Sequence, residues 1–237
     1  HGGQSVPNFD YAMADGVVRT FRKEYFKAME KYIRVRFDVD AETASEFIQK
    51  MKNALGTGVR MGTADEYGRK LEDWVNGGDI LCGERVLLAE DMQKAHAVVV
   101  DMALKETEGE TYQSMEALIH NLNTMNSRAG AQVPFSSVNY GTDCSPEGRM
   151  VIKNLLLATV AVLGNGETPI FPVQIFKVKE GVNSNPGDPN YDLFRLAVRT
   201  SAKRLFPNFS FLDAPFNLQY YKEGDYNTEV AYMGCRT

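Results

Sequence analysis

Cysteine is scarce in this chain, and its spacing excludes several classes of protein. Only three cysteines occur among 237 residues, Cys82, Cys144 and Cys235, and no two of them form a CxxC pair. An odd number at wide spacings argues against a disulfide framework and against a zinc module within the chain. We therefore expect a reducing, cytoplasmic setting and no metal site within these residues.

The sequence also has no long apolar run and no excess of positive charge. Its most apolar stretch, residues 151–163, is shorter than the roughly 18 residues of a membrane span and contains Lys153 and Asn154. With 26 basic and 31 acidic residues the net charge is −5. Binding a nucleic-acid backbone needs clustered Lys and Arg, so we expect neither a nucleic acid nor a membrane as a partner. A single nucleotide needs only a local site and is not excluded.

Several catalytic motifs are missing. The sequence has no GxxxxGK[ST] or GxGxxG phosphate loop, no HExxH and no GxSxG. His96 and His120 lie in helical stretches among apolar neighbours, which is typical of structural histidines. The acidic spacing in residues 188–192 fails the EF-hand pattern and indicates a turn before a helix.

The hydrophobic periodicity divides the chain into two regions. Residues 1–128 have the spacing of helices, and residues 129–237 alternate between strand and helix patterns. The predicted helices of the first region cover residues 9–37, a stretch after a cap at Asp38 or Asp40, and residues 65–75, 84–104 and 111–125. The second region is predicted to have strands at 133–140, 170–178 and 209–212, with helices at 147–163 and 191–205. Such alternation predicts an α/β fold of parallel βαβαβ units after an all-helical first half.

Two cysteines and one strand supply the candidate site residues. Cys144 is placed at a helix start, where a thiol pKa is lowered, although a small residue at a cap position explains it as well. Cys235 follows a glycine in Met233-Gly234-Cys235-Arg236, where unusual backbone angles are allowed. On the strand at 133–140, alternation places Ser137 and Asn139 on one face and Ser136 on the other.

A series of motifs, in this order along the chain, resembles the class III anaerobic ribonucleoside-triphosphate reductases. The matching residues are 2–7, 133–143, 145–149, 168–172, 187–192, 202–207 and 233–236. They cover the α/β half densely, whereas residues 37–110 resemble the family less and suggest a helical insertion. The family pattern has Thr where this chain has Cys144, so we assign Cys144 no catalytic role.

The resemblance implies a fold and a mechanism. Members of this family are glycyl-radical enzymes with a ten-stranded α/β barrel, of which residues 129–237 would form a part. A loop inside the barrel carries a cysteine that becomes a thiyl radical and abstracts the 3′-hydrogen of a ribonucleotide, and the Met-Gly-Cys-Arg motif assigns this role to Cys235. Ser136, Ser137 and Asn139 would then be candidate substrate-binding residues.

The resemblance also implies partners and missing parts. Formate is the expected reductant, a radical S-adenosylmethionine enzyme the activator, and ATP or deoxynucleotides the allosteric effectors of a homodimer. Residues 1–128 would hold the helices on the dimer and effector side. The glycyl radical and a four-cysteine zinc module would lie beyond Thr237 and a second active-site cysteine before His1, so we expect an internal piece without activity by itself.

Two alternatives remain at this point. In the first alternative, the chain is part of a catalytically dead glycyl-radical relative that serves as a nucleotide-binding or dimerisation module. In the second alternative it belongs to an unrelated α/β enzyme with Cys144 as a nucleophile of low pKa.

Overall fold

A computed structural model describes residues 3–125, 130, 132–161 and 166–234. The chain forms two compact units, which we call the sheet unit (His1–Asp15 with Thr111–Thr237) and the helical unit (Gly16–Glu110). The predicted boundary at residue 128 falls outside the described residues and stays a prediction. No helix in the described part is both long enough and apolar enough to cross a bilayer.

The secondary structure begins with a short strand and continues with long helices. In chain order the elements up to residue 124 are β1 (Gln4–Val6), α1 (Phe9–Phe37), α2 (Ala41–Leu55), α3 (Ala64–Asn76), β2 (Leu81–Cys82), β3 (Arg85–Val86) and α4 (Ala89–Thr124). Helix α2 shows how its ends are fixed: Asp40 Oδ1 accepts a hydrogen bond from Thr43 N at 2.7 Å, and Gly56 ends the helix with φ 75°. Of the two predicted caps, Asp38 and Asp40, the structure thus selects Asp40.

The core of the helical unit consists of large apolar side chains at helical spacing. Phe21, Tyr25, Met29 and Ile33 of α1 are fully buried. They belong to one cluster with buried side chains of α2, α3 and α4. The spacing of three to four residues places such side chains on one face of each helix, so the sequence pattern itself specifies this core.

Helix α4 corrects one expectation. Residues 84–104 and 111–125 were predicted as two helices, whereas α4 is continuous from Ala89 to Thr124. The intervening residues contain no proline, and Thr107 Oγ1 bonds back to Ala103 O at 2.6 Å. The one glycine there, Gly109, costs a helix about 1 kcal/mol, which is too little to end a helix that is buried on both sides of it.

The sheet unit contains a parallel four-stranded sheet in the order β1-β4-β5-β6. Its remaining elements are β4 (Ser136–Tyr140), α5 (Pro146–Ala161), β5 (Val173–Val178), α6 (Tyr191–Arg204), β6 (Asn208–Phe211) and α7 (Pro215–Leu218). The predicted βαβαβ alternation is thus confirmed. The sequence analysis missed β1, which pairs with β4 in the register Ser5↔Ser137.

The two faces of this sheet differ in chemistry. On one face Phe176 packs on Phe194 of α6, and Gln174 Nε2 donates to Thr159 Oγ1 of α5 at 2.8 Å. We call the opposite face, which carries Ser5, Ser137, Asn139 and Lys177, the inner face. Segment 226–234 binds to these polar side chains, so both faces of the sheet are covered, as is usual for parallel sheets.

Candidate functional site

The inner face of the sheet binds the backbone that leads to Cys235. Asn139 Nδ2 donates to Tyr232 O at 2.8 Å, and Tyr232 N donates to Asn139 Oδ1 at 2.8 Å. Ser5 Oγ also donates to Tyr232 O at 3.1 Å. Two residues further on, Gly234 N donates to Ser137 Oγ at 3.1 Å. The side-chain amide of Asn139 therefore satisfies both the N–H and the C=O of Tyr232, as the backbone of a neighbouring strand would.

A second anchor of this segment is a buried ion pair. Lys177 Nζ lies 2.8 Å from Glu229 Oε2, and the two side chains are 0% and 5% exposed. Thr142 Oγ1 donates to the same Glu229 oxygen at 2.8 Å, and Lys177 Nζ also donates to Asn8 Oδ1 at 2.7 Å. Buried charges persist when they are paired and hydrogen-bonded, and both charges here satisfy that condition.

The loop after β4 is held by a buried carboxylate at the start of α1. Asp10 Oδ2 accepts hydrogen bonds from Gly141 N at 2.8 Å and from Asp143 N at 3.1 Å. Burial raises the pKa of the Asp10 carboxyl, although these two donors and the charge of Lys177 lower it in part. The first turn of α1 thereby fixes the backbone between β4 and α5.

Two asparagines bind the carbonyl groups of the same loop. Asn183 Nδ2 and Asn190 Nδ2 donate to Gly141 O at 3.0 and 3.1 Å, and Asn190 Nδ2 also donates to Asp143 O at 2.9 Å. Gly141 has φ 129°, a conformation that favours glycine. The loop that follows β4 is therefore bound on both its N–H and its C=O groups.

Cys144 lies beside this loop, and its environment opposes a role as a nucleophile of low pKa. Helix α5 begins at Pro146, and Ser145 Oγ accepts from Gly148 N at 3.0 Å, so Ser145 rather than Cys144 caps it. Desolvation and the charge of Asp143 raise the pKa of the Cys144 thiol, while Arg149 lowers it in part. The expected lowering by a helix start is thus absent, and the alternative built on it loses its support.

A cavity of about 540 Å³ lies between β6 and residues 232–234. Its lining residues with polar side chains are Asn208, Ser210, Asn217 and Tyr232, and Gly234 forms part of its wall. None of the described residues that line it is charged. Such a cavity suits an uncharged polar group, whereas a phosphate would need cations or free N–H donors.

The structure brings together two of the four predicted site residues. Ser137 and Asn139 share the inner face, as alternation predicted, and both bind segment 226–234. Ser136 is on the other face, and its buried hydroxyl has no partner among the described residues. Cys235 lies outside the described residues. A direct contact of Ser136, Ser137 or Asn139 with substrate stays a prediction.

The sequence analysis missed Lys177, Glu229 and Asp10. One signal was available for Lys177, because it interrupts the apolar run of β5 and a lysine in a buried strand needs a partner. The identity of that partner could not be read from spacing, since Glu229 is 52 residues away. Among the described residues, no three His, Cys, Asp or Glu side chains group as metal ligands would.

Comparison with known proteins identifies one family over the whole length of the chain. Residues 1–237 match the family model described as anaerobic ribonucleoside-triphosphate reductase. The protein of that name from Enterobacteria phage T4 is 35% identical over 150 residues, which are 63% of this chain and 24% of the relative. Those from Salmonella typhimurium and Escherichia coli are each 33% identical, over 57% and 54% of this chain and 18% and 17% of their own length.

The aligned part of the chain thus spans less than a quarter of each of these relatives. The family model, in contrast, matches the chain from its first residue to its last. The chain belongs to the anaerobic ribonucleoside-triphosphate reductase family.

Proposed function

We propose that the chain is the cysteine-loop part of an enzyme that reduces ribonucleoside triphosphates to 2′-deoxyribonucleoside triphosphates. With formate as reductant, the balanced reaction converts one ribonucleoside triphosphate, one formate and one proton into the deoxynucleotide, carbon dioxide and water. The observation that carries this proposal is the match of residues 1–237 to the reductase family model, and the binding of residues 232–234, directly before Cys235, to the inner face of the sheet supports the assignment of the cysteine loop.

Cys235 is the residue to which we assign the radical step. Formation of the Cys235 thiyl breaks the S–H bond and removes a hydrogen atom, proton and electron together, and a glycyl radical outside these 237 residues would accept that atom. The Cys235 thiyl then takes the 3′-hydrogen of the ribose: the S–H bond forms, the C3′–H bond breaks, and the unpaired electron moves to C3′. Sulfur suits this exchange because its S–H bond is weak enough for the transfer to be reversible.

The neighbouring residues bind and orient in this proposal. In this proposal the uncharged cavity beside Gly234 takes the ribose and base, and the triphosphate lies outside it, because the described lining has no cation to bind phosphate. Ser137 and Asn139 keep the backbone before Cys235 against the sheet. A fixed thiol next to a fixed ribose converts the hydrogen transfer into a well-oriented intramolecular step.

The remaining parts of the proposal concern the whole enzyme. The four-stranded sheet is part of a ten-stranded barrel, and the enzyme is a homodimer regulated by ATP and deoxynucleotides. A radical S-adenosylmethionine enzyme activates it, and a zinc module accompanies the glycyl radical. The aligned share of the relatives, at most 24% of their length, supports a longer protein around these residues. The 237 residues alone would then show no turnover.

Replacement of Cys235 by serine in the full-length enzyme tests the central assignment. We expect Cys235→Ser to abolish nucleotide reduction while the glycyl-radical signal in electron paramagnetic resonance stays at its wild-type level. Cys144→Ser is the matched control and should keep activity within about twofold, because its thiol has no part in the reaction. An active Cys235→Ser enzyme would refute the assignment. Wild-type enzyme that binds nucleotides but never reduces them would support the catalytically dead relative instead.

A further inference from the structure

Segment 226–234 has two anchors of different kinds. At its far end, Tyr232 and Gly234 bind neutral side chains of β1 and β4. Near its beginning, Glu229 binds the cation of Lys177 on β5 and the hydroxyl of Thr142. The neutral anchor accounts for the position of the backbone. It does not account for a charged pair at a site from which water is excluded.

The burial of this pair makes its position specific. Removing two charges from water is costly, and their attraction offsets the cost only in good geometry with further hydrogen bonds. The Lys177–Glu229 pair has both, because Asn8 accepts from the cation and Thr142 donates to the anion. Any movement of segment 226–234 that separates the pair leaves an unpaired buried charge. The free-energy cost of moving the segment therefore rises more steeply with distance than it would for a neutral contact of the same size.

We propose that Lys177 and Glu229 are positioning residues. They fix segment 226–234 and thereby the distance between the Cys235 thiol and the 3′-hydrogen of the substrate. The effect on catalysis rests on the proposed function. The anchoring of segment 226–234 by the ion pair does not depend on it. Glu229 is six residues before Cys235 in the chain, so it acts through the backbone and not by contact with substrate. Hydrogen transfer depends steeply on distance, and a misplacement of about 1 Å in an active site can cost about 100-fold in rate.

Hydrogen exchange tests the structural part without any turnover. In the full-length enzyme, Glu229→Gln and Lys177→Met should each make the amides of residues 226–234 exchange at least about 10-fold faster. Lys105→Met is the matched control, because Lys105 and Asp101 are also 2.8 Å apart but are 75% and 65% exposed. That control should leave exchange in segment 226–234 unchanged. Unchanged exchange in both test variants would refute the inference.

Kinetics then test the catalytic part. We expect Glu229→Gln to lower kcat about 100-fold, with KM for the nucleotide within about twofold and the glycyl-radical signal unchanged. Thr142→Val keeps both charges and removes only one bond to Glu229, so it should give a smaller loss in kcat in the same direction. Full kcat in Glu229→Gln together with faster exchange would show that the segment is not held for catalysis.

A double variant separates positioning from stability. Lys177→Met with Glu229→Gln removes both buried charges, and such neutral replacements often restore stability. We expect its melting temperature to recover toward wild type while kcat stays low. Recovery of kcat along with the melting temperature would assign the pair a structural role only. If wild-type enzyme shows no reduction at all but the exchange result holds, the proposed function fails and the anchoring stands.

Discussion

The buried His96 illustrates how a single acceptor determines the tautomer of a neutral imidazole ring. His96 Nε2 lies 2.9 Å from Ala64 O, and its Nδ1 lies 2.7 Å from Tyr25 Oη. A carbonyl oxygen only accepts, so Nε2 carries the hydrogen, and Nδ1 accepts from the tyrosine hydroxyl. Both ring nitrogens are thus used within the core of the helical unit, which supports the structural role that the sequence indicated for this residue.

This arrangement makes stability depend on pH. Burial lowers the pKa of His96 below its ordinary value of 6.5, so the unfolded chain takes up a proton at a higher pH than the folded chain. The contribution of His96 is therefore complete above about pH 6.5 and decreases as the pH falls. We expect the loss of unfolding free energy between pH 8 and pH 5 to be smaller in His96→Gln than in wild type. Urea titrations at the two pH values measure this.

Exposed His120 provides the control for that experiment. The variant His120→Gln makes the same histidine-to-glutamine change at an exposed position of α4. Equal pH dependence in wild type and His96→Gln would show that His96 is not the titrating group.

Two adjacent serines of β4 should respond differently to the same substitution. Ser137 Oγ accepts from the buried Gly234 N, whereas the buried hydroxyl of Ser136 has no partner among the described residues. We expect Ser137→Ala to lower the free energy of unfolding by about 1–2 kcal/mol, because it leaves a buried N–H unsatisfied. Ser136→Ala should change it by less than about 0.5 kcal/mol or raise it. Equal losses in a urea titration would contradict the assigned faces of β4.

At the scale of elements, the two glycines Gly148 and Gly109 provide a second matched pair. A Cβ on Gly148, in the first turn of α5, would overlap the side chain of Asp143, whereas a Cβ on Gly109 of α4 would meet no atom within 4 Å. We expect Gly148→Ala to destabilise the protein by about 1–3 kcal/mol through steric overlap. Gly109→Ala should stabilise it by about 0.5–1 kcal/mol, because alanine loses less conformational freedom in a helix. Thermal unfolding of both variants tests the pair, and a stabilised Gly148→Ala would contradict the close packing at α5.

The elements that the sequence predicted well are those with a strong local pattern. Helix α1 has the predicted limits Phe9–Phe37, and β4, β5 and β6 lie within or next to the predicted strands. Strand β1 was missed because it has three residues, and only its pairing with β4 makes it a strand. Helix α4 was predicted as two helices, whereas it runs through residues 105–110, which contain no apolar side chain and so interrupt the hydrophobic pattern without ending the helix.

The candidate site was predictable only where it follows alternation along a strand. The period of two placed Ser137 and Asn139 on one face, and the structure confirms this grouping. The bonds from Asn139 to Tyr232 and from Lys177 to Glu229 join residues that are 93 and 52 positions apart. Local propensity contains no information about such contacts, so the ion pair and its neighbours required the structure.

At the scale of the whole molecule, strand β6 has a partner on only one side among the described residues. Beside it, Phe211 and Phe216 are 62% and 66% exposed. An open edge next to exposed aromatic side chains favours association with other chains. We expect the 237 residues, expressed by themselves, to self-associate at micromolar concentration. Phe211→Lys with Phe216→Lys should shift sedimentation toward the monomer, and an unchanged distribution would contradict this origin of the association.

The bonds from β1 and β4 to residues 232–234 all reach backbone atoms. Backbone recognition is indifferent to side-chain identity, so the location of this stretch is encoded in two strands far from it in the chain. A protein engineer could therefore exchange Met233, which is 54% exposed, for many other residues and still retain the same loop path. At Met233 the loop would thus tolerate change, whereas the strand residues Ser137 and Asn139 that bind its neighbours would not, the reverse of the usual rule for loops and scaffolds.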